Sequence, residues 1–215
     1  YYVAKALLDP GLPPNSGAFR SIKVLTKPGT LMEVQFPGAL CNSNIVTTQR
    51  IVDSLMKAFL QVIPERVSAA CSGTMNLLNI GGRNPRTGNL FNYIETYGGG
   101  QGALVDSDGT SAVQMHMTNT RNAPVEVIES TYPFFIHGYG LVPESAGAGN
   151  FRGGYGMQRE FEVLADRVTV TLSSDRFEFS PWGVFGGKSA SSGNCQVILP
   201  DGTIEQLPSK VTRVL

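Results

Sequence analysis

The back half of this chain is a succession of short apolar segments at hairpin spacing, a pattern that points to an antiparallel sheet. Beyond residue 134, segments 134–142, 157–164, 168–172, 196–199 and 203–207 each read as a strand, and Asp201-Gly202 is the best turn signal between them. Lys210-Val211-Thr212-Arg213-Val214-Leu215 closes the chain with another strand-like run. Further forward, 76–80 and 90–94 flank the polar loop Arg83-Asn84-Pro85-Arg86-Thr87-Gly88, which predicts a hairpin. Met115 and Met117 suggest one more strand.

The front half is mixed. Tyr1-Tyr2-Val3-Ala4-Lys5-Ala6-Leu7-Leu8 reads as part of an amphipathic helix, and Ser21-Ile22-Lys23-Val24-Leu25 as a short strand before a Lys27-Pro28-Gly29-Thr30 turn. The clearest helix carries Ile45, Val52, Leu55, Met56, Phe59, Leu60 and Ile63 on one stripe. Asn42-Ser43-Asn44 supplies candidate caps, and Pro64 is the expected stop. The fold class is therefore α+β: an α+β region over 1–144, then a mostly antiparallel β region over 145–215. The glycine-rich stretch 145–150 is the expected crossover. Neither end carries a start or stop signal of its own, so the chain is expected to be part of a larger subunit.

Composition narrows the function. Seventeen basic and 17 acidic residues balance, and the basic ones are scattered singly, which disfavours a nucleic-acid partner. No apolar run approaches the roughly 18 residues that would span a bilayer, so no membrane role is expected. Cys41, Cys71 and Cys195 stand far apart without CxxC spacing. They read as reduced, buried thiols in a cytoplasmic protein.

The densest chemistry lies in His116-Met117-Thr118-Asn119-Thr120-Arg121-Asn122-Ala123-Pro124-Val125-Glu126. So many polar groups before a rigid proline are costly to bury unless each finds a partner, which suggests a polar pocket. His116 suits acid or base work near neutral pH. Thr118, Asn119 and Asn122 suit polarisation of a carbonyl, and Arg121 suits an anion. The alternative is a polar turn with His116 hydrogen-bonded in the core. Ser72-Gly73-Thr74-Met75-Asn76 offers small residues whose backbone N–H groups could meet an oxyanion, or simply a turn. In Glu95-Thr96-Tyr97-Gly98-Gly99-Gly100-Gln101-Gly102, the glycines permit close backbone approach, and Glu95 is a candidate acid/base. His137, in an aromatic strand, reads as structural. Two histidines in separate segments do not make a metal site within this chain.

In order, the chain shows Asn15-Ser16-Gly17-Ala18-Phe19-Arg20, the helix ending at Pro64, the 72–76 segment, Gly81-Gly82 with the Arg83–Gly88 loop, the 95–100 segment and the 116–126 segment. Gly147-Ala148-Gly149-Asn150-Phe151-Arg152-Gly153-Gly154, Pro181-Trp182-Gly183 and Gly186-Gly187 follow. This series resembles the carboxy-terminal part of the hydantoinase B/5-oxoprolinase family over nearly its whole length. The resemblance implies an ATP-dependent cyclic-amide hydrolase that opens hydantoin- or lactam-like rings of a small-molecule substrate. It implies a hetero-oligomer in which a hydantoinase A-like partner uses the ATP. It also implies a divalent metal, manganese or zinc, whose ligands lie in an amino-terminal part of the same subunit.

On that resemblance the catalytic candidates are His116, Asn119 and Glu95. The substrate-binding candidates are Thr74, Asn76, Gly99, Thr118, Arg121 and Asn122. The alternatives are a large-subunit fragment of the acetone or acetophenone carboxylase type, and a non-catalytic docking domain.

Overall fold

The computed structural model describes every residue except Cys41, Ser43, Asn44 and Thr74. The described residues form two compact units, Tyr1–Val67 and Ser68–Leu215, each with its own apolar core. The architecture is α+β.

In Tyr1–Val67, the short helix α1 (Ser16–Phe19) is capped by Asn15, whose side chain accepts a 2.9 Å bond from the Gly17 amide. Helix α2 (Val46–Phe59) buries Val52 and Met56 against Val3, Leu7 and Val67. Its stripe is the one the sequence predicts, but the helix stops at Phe59. Pro64 instead opens the 3-10 turn Pro64–Arg66, where its missing N–H costs nothing. The expected caps Ser43 and Asn44 lie outside the described residues, and Ile45 holds the cap position without a side-chain bond. The opening segment coils as a π-helical turn, Ala4–Leu8, and Arg66 Nη1 donates to the Leu7 carbonyl at 3.0 Å. That bond satisfies a carbonyl that the end of the turn leaves open.

The strand expected at 21–25 is absent. Val24 and Leu25 are 75% and 79% exposed, and the described residues of this unit contain no strand to pair with them. A strand is stable only when its backbone groups find a ladder, and alternation alone does not supply one.

In Ser68–Leu215, a four-stranded antiparallel sheet runs in the spatial order 90–96, 77–83, 168–173 and 210–214. Strands β1 (Leu77–Arg83) and β2 (Leu90–Thr96) form the expected hairpin, and β1 also pairs with β5 (Val168–Ser173). Helix α3 (Val125–Thr131) starts directly after Pro124. Strands β3 (Phe134–Leu141) and β4 (Met157–Val163) make a second antiparallel pair, with a bulge between Ile136 and Gly138. Strands β6 (Gln196–Ile198) and β7 (Ile204–Gln206) flank the Asp201-Gly202 turn, and β8 (Lys210–Val214) pairs with β5.

Phe134 and Ile128, 2% and 0% exposed, sit at the centre of the core with Ile80, Tyr93, Val168 and Val170. The Phe134 ring meets Phe91, Tyr93 and Phe161 edge-on at 5.6, 5.3 and 5.8 Å. Each such side chain buried contributes about 1.5–3 kcal/mol. The glycine-rich stretch 145–150 lies inside this unit, on the connection between the paired strands β3 and β4. The strand expected around Met115 and Met117 is reduced to a single bridge, Gly99 with Val113, followed by a turn at His116.

Candidate functional site

Within the second unit, three polar segments that are far apart in sequence run side by side. The Ser72 amide donates to the Gly100 carbonyl at 2.9 Å, and Tyr97 donates to Met75 at 2.9 Å. Gly99 and Val113 exchange two bonds, at 2.9 and 2.7 Å. Glycine is required here because a Cβ on Gly99 would lie inside the Ser72 side chain. One on Gly100 would lie inside the carbonyl of Gly154. Gly154 in turn donates to Gln101 at 2.8 Å. The two glycine motifs therefore serve each other: both backbones must be bare for the loops to touch.

The polar segment after Val113 is anchored at both ends. At its start, His116 adopts φ 55°, a left-handed conformation, and its Nε2 lies 3.1 Å from Cys71 Sγ. Thr118 Oγ1 donates to the Met115 carbonyl at 2.6 Å. At its end, Asn122 Nδ2 donates to the Tyr139 hydroxyl, and the Ala123 amide donates to Glu95 Oε1 at 3.1 Å. Between these anchors Asn119, Thr120 and Arg121 are exposed. Thr120 and Arg121 face an open depression of about 290 Å³, with Tyr93, Glu95 and Ala123 on its other walls. A larger depression of about 560 Å³ lies over Gly81, Gly82 and Phe91, and no titratable side chain lines it.

Glu95 is more enclosed than its place at a strand end suggests. It is 7% exposed, and Oε2 accepts from the Tyr93 hydroxyl and pairs with Arg159 Nη1. Burial of the Arg159 guanidinium opposes its charge. The Glu95 carboxylate, together with Tyr97 and Tyr93, outweighs that effect and raises the Arg159 pKa. Burial likewise pushes the Tyr93 phenol upward, aided by its hydrogen bond to Glu95. Burial, then the neighbouring Tyr93 and Glu95, does the same to Tyr97. Glu95 and Tyr93 thus stand in the pocket wall, and Glu95 is paired with Arg159, which does not line the depression.

Of the other residues singled out from sequence, Asn76 sits at φ 43° just before β1, and Gly99 is buried in the loop contact with Ser72. Thr74 lies outside the described residues. His137 stands apart, half exposed, 2.7 Å from Glu162. Cys71 is buried as expected, Cys195 is partly buried, and Cys41 lies outside the described residues.

Two residues of the site were not found from sequence. Cys71 reads from sequence as a reduced, buried thiol, and nothing local signals its distant histidine. Arg159 did leave a trace. It occupies the inward phase of β4 with Met157, Phe161 and Val163, where an apolar residue is the rule.

The family model for hydantoinase B/oxoprolinase matches residues 1–215. The chain belongs to this family. The chain is 33% identical over 209 residues to a 5-oxoprolinase of Dictyostelium discoideum, covering 97% of this chain and 16% of that protein. It is 32% identical over 183 residues to the caprolactamase subunit beta of Pseudomonas jessenii, covering 82% and 31%. Among solved structures it is similar to the nucleotide-free structure of acetone carboxylase, a protein of ATP-dependent acetone carboxylation. That match has a TM-score of 0.52 and 26% identity, and covers 63% of this chain and 18% of that one. The chain thus spans a third or less of each of these relatives.

A divalent metal would need about four ligands for a structural site, or three plus water for a catalytic one. In Ser68–Leu215 the described residues bring no three His, Cys, Asp or Glu donors together: Cys71 and His116 stand as a pair, and so do His137 and Glu162. The unit by itself does not hold a complete metal site. Among the described residues, no helix is long and apolar enough to cross a membrane.

Proposed function

We propose that this B-type chain is part of a subunit that opens a hydantoin- or lactam-like ring, working with an ATP-using A-type partner in a hetero-oligomer. The observation that carries this is the anchored polar segment 116–123. Its ends are fixed by His116–Cys71 and Ala123–Glu95, and its middle, Asn119–Arg121, is left exposed, with Thr120 and Arg121 beside the depression. A turn that merely plugs the core would bury or pair its middle residues.

An amide C–N bond is resonance-stabilised, so ring opening needs charge stabilisation at the carbonyl oxygen and a proton for the departing nitrogen. His116 supplies or removes the proton. Asn119 stabilises the developing oxyanion, Arg121 holds a carboxylate or carbonyl of the ring, and Thr118, whose hydroxyl and amide both donate to the Met115 carbonyl, holds the turn that presents them. Asn76 and Asn122 shape the site, as does Thr74 on the resemblance alone. A divalent metal bound by the amino-terminal part of the subunit would polarise the carbonyl or a water when present. The chain's own residues bind and orient the ring and move its proton.

A ketone-carboxylase role is the second reading, favoured by the likeness to acetone carboxylase. The experiment that separates them uses the intact subunit with its ATP-using partner. Hydantoin, 5-oxoproline and caprolactam are each assayed for ADP release and ring opening. Acetone and acetophenone are assayed for bicarbonate-dependent consumption. Ring opening without a bicarbonate requirement supports the proposal, and bicarbonate-dependent ketone loss alone rejects it.

A further inference from the structure

A buried arginine in the apolar phase of a strand needs a reason. The Arg159 side chain is 1% exposed. Its Nη1 pairs with Glu95 Oε2 and lies 3.3 Å from the Tyr93 hydroxyl, and its Cζ stands 4.2 Å over the Tyr139 ring. Nε and Nη2 have no hydrogen-bond partner among the described residues, and the ring centroids of Tyr97 and Phe161 stand 5.5 and 5.8 Å from Cζ. The guanidinium is therefore committed through one edge and one face.

Both of those commitments lead to the same place. Glu95, on the edge, accepts the Ala123 amide through its other oxygen. Tyr139, under the face, accepts from Asn122. The two bonds that close the far end of the 116–123 segment are thus made by two groups that a single guanidinium holds. Asn122 and Ala123 directly follow Thr120 and Arg121, the exposed pair beside the depression. A displacement of Glu95 or Tyr139 is transmitted to them within one or two residues of backbone.

We propose that Arg159 is the positioning residue of the candidate site: it holds Glu95 and Tyr139 where they clamp Ala123 and Asn122, and so sets how Thr120 and Arg121 meet the ring. The identity of the ring rests on the proposed function, whereas the clamp does not. Glu95 on this account works through Ala123 rather than by exchanging protons with substrate. Lysine cannot replace Arg159, because a compact ammonium cannot pair with Glu95 and lie flat on Tyr139 at once.

The test uses the intact subunit with its partner and two forms, Arg159→Lys and the double form Glu95→Gln/Arg159→Met. The double form removes both buried charges together, so no lone ion is left to unfold the protein. In both, KM for the ring substrate is expected to rise at least tenfold with kcat within about threefold. Hydrogen exchange at the Ala123 amide is expected to quicken while that of β1 does not change. Unchanged KM in both forms, with only a lower Tm, overturns the proposal and leaves Arg159 as framework. Should the unmodified complex turn over no cyclic amide, the proposed function fails. The clamp is then decided by Ala123 exchange: faster exchange in Arg159→Lys supports it, and unchanged exchange rejects it.

Discussion

The imidazole Nε2 of His116 and the thiol of Cys71 lie 3.1 Å apart, although 45 positions separate them in the chain. The contact gives the imidazole a fixed partner, so its ring is oriented by the fold rather than by solvent. The left-handed φ of 55° at His116 is a conformation that costs a non-glycine residue about 1–3 kcal/mol. Substituting His116→Ala in the intact complex is expected to lower ring-opening turnover by about 10²–10⁴-fold, the usual range for a proton-transfer group. Cys71→Ala should cost less than His116→Ala, because it loosens the ring without removing it. Steady-state rates on correctly folded protein decide it, and equal turnover in His116→Ala takes His116 out of the mechanism.

The second histidine provides the contrast. His137 pairs with Glu162 on a strand face where both side chains are about half exposed. Exposed pairs contribute only about 0.2–1 kcal/mol. His137→Ala is expected to leave turnover within about twofold and to shift urea unfolding by less than about 1 kcal/mol. A large loss of activity would mean the site extends along β3 beyond Tyr139.

The contact between Gly99 and Ser72 predicts a pair of opposing substitutions. Gly99→Ala forces a methyl into the Ser72 side chain and should destabilise the chain by about 1–3 kcal/mol. Adding Ser72→Gly removes the atoms it strikes, and most of that loss should return. Denaturant titration of the single and double forms is the measurement. Additive losses would show that the loops do not touch there.

The buried phenols set an alkaline limit. Tyr93 and Tyr97 have folded pKa values above their ordinary value of about 10, chiefly through burial. Below pH 10 both states keep these protons and stability does not change on their account. Above it the unfolded chain loses them first, so the folded state binds more protons and stability falls as pH rises. Tyr97→Phe is expected to retain more of its stability between pH 10 and 12 than the unmodified chain. Thermal melts across that range, with tyrosinate absorbance at the transition, test this, and identical alkaline curves would count against the burial.

Much of the β framework is legible in the sequence because strand alternation and turn chemistry are local. The hairpin of β1 and β2, the Asp201-Gly202 turn and the stripe of α2 all follow from neighbours a few residues apart. The same signal failed at 21–25, where alternation is present and a partner strand is not. It failed again at Met115–Met117, where a bridge and a left-handed turn replace a strand. The polar segment 116–126 announced itself by density alone, but which of its members are anchors could not be read there.

By itself, the sequence determined which segments are apolar on one face, where the backbone must be glycine, and which stretch is too polar to bury unpaired. The tertiary structure decided the pairings: His116 with Cys71, Ala123 with Glu95, and Glu95 with Arg159. Periodicity reports what one element does to its own neighbours. The partner of a buried charge depends on which two elements the core brings together, and that is settled only when Phe134 and Ile128 find their places.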